Sequence, residues 1–250
     1  MDQAHFIHEE WYQIKGYDVD RNLTMRTTSL IQAMHDAATA QVIELKVSAT
    51  ELQPLSLGWV LVQQDLEIFH YPSMGQRIKF KTYPSGKDRA YTYRDYYVYS
   101  EDELLIAQAS TSWILMDTNE RKMGPYPPQI EEILKRSNAM PHLNRPEKRS
   151  EEHRTYNQSK IFEVQFSDID FNGHLSNHCF FKWMIDALPA AFISENQIVR
   201  FNIRFKGEAF QGDRIHVKHL YGAKKVFHQL VSKGKVLASG YSDWQKIPGI

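Results

Sequence analysis

The chain has 250 residues, of which 30 are Lys or Arg and 30 are Asp or Glu, so its formal net charge is +0 at pH 7. A neutral chain does not hold nucleic acid through bulk charge, which excludes that class of binding protein. Hydrophobic residues make up 42% of the chain and charged residues 24%, which is typical of a folded protein rather than a disordered one. The length suggests roughly one or two domains.

Cysteine usage and hydrophobic runs indicate the compartment. The one cysteine, Cys179, cannot form an intrachain disulfide, and a single cysteine excludes a Cys-rich zinc module. Such usage is typical of a reducing compartment. The first 20 residues lack the basic-then-apolar pattern of a signal peptide, and no apolar run approaches the roughly 18 residues that span a bilayer. We therefore expect a cytoplasmic protein that does not bind membranes.

The sequence contains a weak internal repeat in which three shifts align the two halves in the same order. A shift of 150 positions pairs Asp18, Asp20, Asn22, Met34, Asp36 and Ala37 with the residues at 168, 170, 172, 184, 186 and 187, a shift of 137 pairs Gly75 with Gly212, and a shift of 131 pairs Ala107 with Ala238 and Trp113 with Trp244. Copies of this size are too long for a solenoid and indicate duplicated domains. We expect an N-terminal domain at 1–118, a linker at 119–154 and a C-terminal domain at 155–250.

The first copy is expected to have an extended entry, one long helix and then several strands. Helical spacing relates the apolar residues Leu30, Ile31, Met34, Ala37, Ala38 and Val42, and period-two spacing relates Val60, Val62, Leu66 and Ile68. The pair Ser85 and Gly86 is typical of a hairpin turn between later strands. The linker is rich in proline and charge, with one short helix near residues 129–136.

The second copy repeats this order of elements. A helix is predicted from Phe180, Phe181, Met184, Ile185, Leu188, Ala191 and Phe192, a strand from Val199, Phe201, Ile203 and Phe205, and a hairpin turn from residues 232–234. Consecutive strands with short turns favour antiparallel pairing. One long helix with a single buried face is best covered by a sheet that curls around it, so the expected class is α+β, one helix and one antiparallel sheet per copy.

The strongest local motif is Asp170-x-Asn172-x-His174, just before the second helix. In an extended segment these side chains project from one face, which places a carboxylate, an amide and an imidazole together as an acid and base set. Ser176 or Asn177 is placed to cap the helix, whose free N–H groups could hold a developing oxyanion.

The first copy has Asp20, Asn22 and Thr24 at the positions of this motif. It therefore lacks the imidazole, and only the second copy is expected to be active.

Three structural interpretations compete with a catalytic one. Asn172 and Gly173 form a common turn dipeptide, which explains the glycine but not His174. The run from Asp168 to Gly173 also matches the start of an EF-hand calcium loop, but the twelfth position is Cys179 instead of Glu and a strand-like segment precedes it. Finally, His174 is one of eleven histidines and could be a structural residue.

Several segments in order along the chain resemble the acyl-acyl-carrier-protein thioesterases of plants and bacteria. They are the Asp170 to His174 motif with its following helix, residues 58–60, 71–75, 82–84 and 109–113 in the first copy, and residues 205–213 in the second. The resemblance covers nearly the whole chain. It implies two hotdog domains in one chain that release a fatty acid from the phosphopantetheine arm of acyl carrier protein, without a cofactor or metal.

The resemblance implies a catalytic set of Asp170, Asn172, His174 and Glu208. Plant members have a cysteine directly after the glutamate, and here that position is Ala209, so a covalent cysteine mechanism is excluded at this position. We expect water to attack the thioester carbonyl with Glu208 or Asp170 as general base, and His174 to orient the water or protonate the leaving thiolate.

By strict alternation Glu208 would be a solvated charge at a strand end, on the face opposite Phe205. A bulge at Gly207 would redirect it toward the other face.

The resemblance also implies where the substrate and the partner protein would bind. The acyl tunnel is expected in the first domain, with Met25, Leu30, Met34 and Trp59 as candidates that also suit plain core. A basic patch for the acidic carrier protein is sought among Lys182, Arg200, Arg204, Lys206 and the segment 145–154.

Two other function classes stay open. They are a hotdog dehydratase of hydroxyacyl thioesters and a non-catalytic acyl-binding protein. Both a monomer and a homodimer are compatible with two fused copies.

Overall fold

A computed structural model describes residues 6–146, 154–222 and 224–247. The chain divides into two compact units, Met1–Pro146 and Glu147–Ile250, which we call unit 1 and unit 2. Much of the expected linker therefore belongs to unit 1. Its helix is amphipathic and buries Ile130 and Leu134 in a hydrophobic cluster of unit 1 that also contains Leu45 and Leu115. Residues 147–153 of the expected linker lie outside the described part of the chain.

Unit 1 has one long helix on an antiparallel sheet. Its elements are β1 (His8–Gln13), α1 (Thr27–Glu44), α2 (Ala49–Leu52), β2 (Leu57–Ile68), β3 (Arg77–Asp88), β4 (Tyr91–Ser100), β5 (Leu105–Asp117), β6 (Lys122–Met123) and α3 (Pro128–Ser137). The strands pair in the order β1-β3-β4-β5-β2, and β6 pairs with the C-terminal end of β5. The buried stripe of α1 contains Leu30, Ile31, Met34 and Ala37, as its helical spacing predicts.

Unit 2 repeats this plan. Its elements are β7 (Gln158–Glu163), α4 (Asn177–Asp186), α5 (Ala190–Glu195), β8 (Asn196–Phe205), β9 (Arg214–Tyr221), β10 (Lys225–Ser232) and β11 (Lys235–Lys246). The strands pair antiparallel in the order β7-β9-β10-β11-β8, which is the order found in unit 1. Each unit is thus a hotdog domain, and the expected α+β tandem fold is confirmed.

Backbone hydrogen bonds confirm the internal repeat. In unit 1 the Ile14 N–H donates to the Gln76 carbonyl and the Ile14 carbonyl accepts from the Gly75 N–H, both at 3.0 Å. In unit 2 Val164 makes the same two bonds with Asp213 and Gly212, both at 2.9 Å. The pairs differ by the shifts of 150 and 137 positions found in the sequence.

The second long helix is interrupted, which corrects the sequence prediction. α4 ends at Asp186, and α5 starts at Ala190 after Pro189. A proline inside a helix lacks the N–H for the i to i−4 bond and its ring clashes with the preceding turn, so the helix cannot run through Pro189. Phe180 and Phe181 are buried as expected, but Ala191 is exposed.

Two strand predictions also change. A bulge in β2 between Leu61 and Gln63 reverses the alternation, so Leu61 is buried and Val60 and Val62 are only half-buried. Gly86 lies at a second bulge inside β3, not at a hairpin turn. The turn predicted at residues 232–234 is confirmed, because β10 and β11 join through Lys233 and Gly234 at φ 49° and 76°.

Candidate active site

The motif segment is a tight turn, not an extended strand, which corrects the prediction of one shared face. Gly173, at φ 78°, donates its N–H to the Asp170 carbonyl at 3.0 Å, and Asp170 N–H donates to the His174 carbonyl at 2.8 Å. The Asp170 carboxylate accepts from the N–H groups of Asn172 and His174, at 2.8 and 3.2 Å. The Asn172 side chain is exposed. Asp170 therefore fixes the backbone that carries His174.

Unit 1 contains the same turn without the imidazole. The Asp20 carboxylate accepts from the N–H groups of Asn22 and Thr24 at 2.8 and 3.2 Å, and Leu23 takes the place of the glycine at φ 59°. The two turns share this hydrogen bonding although only one contains a histidine. The aspartate therefore has a structural function that does not depend on catalysis.

A β-bulge at the end of β8 sets the direction of Glu208. The consecutive N–H groups of Lys206 and Gly207 both donate to the Leu237 carbonyl, at 2.8 and 3.1 Å. Such a shared acceptor inserts one extra residue and reverses the following side chains. Unit 1 has the same bulge, in which Phe69 and His70 share the Ile106 carbonyl. The expected bulge at Gly207 is confirmed.

His174 and Glu208 meet across two loops. Leu175 N–H donates to the Ala209 carbonyl at 2.8 Å, which joins the turn of His174 to the segment after β8. The His174 Nδ1 atom then lies 3.7 Å from Glu208 Oε1, with 27% and 29% of the two side chains exposed. The structure thus places an imidazole and a carboxylate together where water can reach them.

Unit 1 has no such pair at the matching positions. The shift of 137 positions places Tyr71 where unit 2 has Glu208, and the Tyr71 hydroxyl lies 2.8 Å from Thr27 Oγ1. Thr24 stands in place of His174. Of the two matching loop pairs, the pair in unit 2 therefore contains the histidine and the carboxylate that could transfer protons.

Cys179 and the N-cap residue of α4 were the remaining candidates near the motif. Cys179 is buried beside Asp168, and burial and then Asp168 raise the pKa of its thiol to about 12. A protonated, buried thiol is a packing group rather than a nucleophile. Ser176 is the N-cap residue of α4, and its side chain makes no capping hydrogen bond.

The calcium alternative finds little support in the local geometry. The segment before the motif is strand β7 and a short 3₁₀ turn, whereas an EF-hand requires an entering helix. Asp170 Oδ1 is engaged by backbone N–H groups. No group of three or more His, Cys, Asp or Glu residues suited to a metal occurs within residues 6–146, 154–222 and 224–247. Of the helices in these ranges, none is long and apolar enough to cross a membrane.

The residues expected to line the acyl tunnel or to form the basic patch make contacts typical of structural residues. Met25, Leu30 and Met34 are buried in the core of unit 1, and Trp59 is half-buried with its Nε1–H donated to the Val47 carbonyl at 3.1 Å.

Among the basic candidates, Lys182 pairs with Asp186 at 2.8 Å. Arg145 donates to Ser85. The tunnel and the carrier-protein patch both stay predictions.

Sequence reasoning missed Phe210, whose ring lies edge-on to His174 with 5.2 Å between ring centroids. Glu208 and Phe210 flank the fully buried Ala209. Residues two apart in an extended segment project to the same side, and this spacing could have predicted Phe210 beside the site.

Comparison with known proteins decides the family. The sequence matches the family models for the acyl-ACP thioesterase N-terminal domain over residues 5–134 and the C-terminal domain over residues 151–246. The chain belongs to the acyl-ACP thioesterase family. The resemblance inferred from the motifs is thereby confirmed.

A curated relative from this family is distant in sequence. Oleoyl-acyl carrier protein thioesterase 1 of Arabidopsis thaliana, a chloroplastic protein, is 21% identical over 227 residues, which cover 82% of this chain and 61% of that protein. The chain thus spans about three-fifths of the length of this relative. The cytoplasmic location expected from the sequence stays a prediction.

Solved structures confirm the fold. An acyl-ACP thioesterase from Bacteroides thetaiotaomicron superposes with a TM-score of 0.87 at 17% identity, over 98% of this chain and 100% of that one. The 12:0-ACP thioesterase from Umbellularia californica gives a TM-score of 0.88 at 14% identity, over 97% and 98% of the two chains.

Proposed function

We propose that this protein hydrolyses fatty acyl-acyl carrier protein to a free fatty acid and the carrier thiol. Membership of the family supports this reaction class. The observation that carries the proposal is the His174 Nδ1 to Glu208 Oε1 distance of 3.7 Å, in the unit whose duplicate has threonine and tyrosine at these two positions. A pair that can move protons is what attack by water on a thioester requires.

Glu208 is the general base in this proposal. Its carboxylate stands beside the imidazole at the surface, whereas Asp170 Oδ1 already accepts two backbone N–H groups. The matching bonds of Asp20 in unit 1 support a positioning function for Asp170. Asn172, also predicted to be catalytic, would polarise the carbonyl from its exposed place in the same turn.

The proton balance follows from these positions. Glu208 accepts a proton as the water oxygen bonds to the carbonyl carbon. The carbon–sulfur bond then breaks, and the proton passes through His174 to the departing sulfur. A thiol has a pKa near 8.5, so its anion leaves with little acid assistance and one imidazole suffices.

The substrate assignment rests on the family. Carrier proteins are acidic, so we expect a basic docking patch despite the zero net charge of the chain. The predicted tunnel in unit 1 would hold the acyl chain. A homodimer remains a prediction.

The test is product analysis of wild-type protein with a chain-length panel of acyl-ACP substrates. Stoichiometric release of free thiol and fatty acid is the expected result, and acyl-CoA of the same chain lengths serves as the comparison. A new double bond in a hydroxyacyl thioester without thiol release would instead identify a dehydratase. Binding without either change would identify an acyl-binding protein.

A further inference from the structure

We propose that Phe171 and Phe210 form an aromatic rim that binds the thiol-side arm of the thioester, at the outer half of its pantetheine portion, beyond the cysteamine unit that adjoins the sulfur. This inference rests on the proposed thioester hydrolysis and assigns a substrate-binding function to two residues outside the predicted catalytic set. Both rings are solvent-exposed, by 75% and 50% of their surface. Each belongs to one of the two loops that carry His174 and Glu208.

Phe210 is the better-placed of the two rings. It contacts the His174 ring edge-on at 5.2 Å. A short turn holds its backbone, since Phe210 N–H donates to Asp213 Oδ2 at 3.0 Å and Asp213 N–H donates back to the Phe210 carbonyl at 3.0 Å. Lys233 pairs with the same carboxylate at 2.6 Å. The ring therefore stands in a prearranged place beside the imidazole.

Phe171 lies at the tip of the turn between Asp170 and Asn172. The carboxylate of Asp170 accepts from the N–H groups of Asn172 and His174 and so fixes the backbone that follows the ring. A ring exposed at the tip of such a turn contributes little to the core. An exposed aromatic residue at a fixed position in the turn that carries His174 is suited to contact with a ligand.

The duplicate unit provides an internal comparison. The repeat shifts place Arg21 at the position of Phe171 and Ser73 at the position of Phe210. The exposed large apolar residues of these loops in unit 1 lie at other positions, Leu23 at 53%, Met74 at 47% and Phe69 at 44%. The two rings therefore accompany the histidine and the carboxylate and are not required by the turns themselves.

The exposure of the rings favours the thiol-side arm over the acyl chain. Each methylene left in water forgoes its favourable transfer free energy, so a fatty chain is expected in a buried site. The arm carries amide groups and must extend outward to its carrier. Half-exposed rings at the surface match such an amphipathic group.

Two thioesters with the same acyl chain test the inference, one of pantetheine and one of N-acetylcysteamine, which lacks the outer half of the arm. We expect Phe171→Ala and Phe210→Leu to lower kcat/KM for the pantetheine thioester about tenfold, mainly through KM. The same variants should change kcat/KM for the truncated thioester less than about twofold. Leu23→Ala and Met74→Ala are matched controls and should leave both values unchanged.

The possible results separate the inference from the proposed function. Equal losses on both thioesters, or losses that grow with acyl length, would overturn the rim assignment while hydrolysis stands. A loss seen with acyl-ACP but not with acyl-CoA would also overturn it, because both sources carry the same arm and the rings would then contact the carrier protein. If wild-type protein releases thiol from acyl-ACP but from neither small thioester, the inference is overturned while hydrolysis stands. If it releases thiol from acyl-ACP as little as from the two thioesters, the proposed function fails and the inference fails with it.

Discussion

The N–H of Leu175 donates to the carbonyl of Ala209 at 2.8 Å, and this bond brings together two loops that are 34 positions apart in the chain. The residue before Leu175 is His174, and the residue before Ala209 is Glu208. The equivalent bond in unit 1 runs from Met25 N–H to the Pro72 carbonyl at 2.9 Å. One backbone connection thus exists in both units, and in unit 2 it carries an imidazole and a carboxylate.

Replacement of Glu208 by Gln should remove the general base while it keeps the shape of the side chain. We expect kcat to fall by about 100-fold or more, because proton transfer by a positioned base contributes that order of acceleration. Tyr71→Phe at the matching position of unit 1 is the control and should retain kcat. Steady-state thiol release measures both. Full activity of Glu208→Gln would rule out this carboxylate as the base.

Asp170 should tolerate Asn better than Ala. An asparagine keeps an acceptor oxygen for the two N–H groups of the turn, so Asp170→Asn should keep kcat within about tenfold of wild type. Asp170→Ala frees the turn and should lower activity further. The unit 1 variant Asp20→Ala should lower the midpoint of thermal unfolding without a comparable loss of kcat. A loss in Asp170→Asn as large as that in Glu208→Gln would make Asp170 the base.

The repeat and its turn could be predicted from the sequence because Asp20 and Asp170 recur with their neighbours. The prediction that the motif side chains share one face was wrong, because Gly173 allows a positive φ that folds the segment back on itself. The interruption at Pro189 has a plain chemical signal, but the apolar spacing that continues to Phe192 masked it. The bulge near Val62 has no glycine or proline to mark it.

Residue patterns alone could not predict that His174 pairs with Glu208. The two residues are distant in sequence, and alternation along β8 places Glu208 on the opposite face unless a bulge intervenes. Gly207 indicated that bulge, but only the resemblance to a family linked it to the histidine. The register of two loops depends on backbone bonds such as that of Leu175 to Ala209, which side-chain patterns do not record.

Two buried histidines should make unit 2 sensitive to acid. His219 and His228 face each other on β9 and β10 and are 2% and 1% exposed. Burial, and then His219, lowers the pKa of His228 from 6.5 to about 3, and burial lowers that of His219. The unfolded chain therefore binds protons first as the pH falls below 6.5, and His228 removes at most about 1.4 kcal/mol of unfolding free energy per pH unit while its folded form stays neutral.

Denaturant unfolding between pH 7.5 and 4 measures this dependence. His228→Gln keeps a partner for Ser242 but does not titrate, so its stability should fall less steeply with acid than that of wild type. His142→Gln, at an exposed position, should follow wild type. If the free energy of unfolding falls equally steeply with pH in wild type and His228→Gln, His228 does not cause the acid sensitivity.

Gly240 should not accept a side chain. A Cβ at this position of β11 would overlap the Asn202 carbonyl oxygen and lie 3.0 Å from the Ile203 Cα, both backbone atoms of β8. Gly240→Ala should therefore lower stability by about 1–3 kcal/mol or more, as overpacking of a rigid backbone does. Ser239→Ala is the neighbouring control and should cost less. Thermal unfolding of the two variants compares them, and equal midpoints would show that β8 and β11 can separate locally.

The most direct measurement is thiol release from acyl-ACP by three proteins, the wild type, His174→Ala and Thr24→Ala. The two variants truncate the same position of the duplicated turn, once in each unit. We expect release by wild type and by Thr24→Ala at similar rates, and a rate at least about 100-fold lower for His174→Ala. Release by His174→Ala at the wild-type rate, or no release by wild type at any chain length, would contradict it.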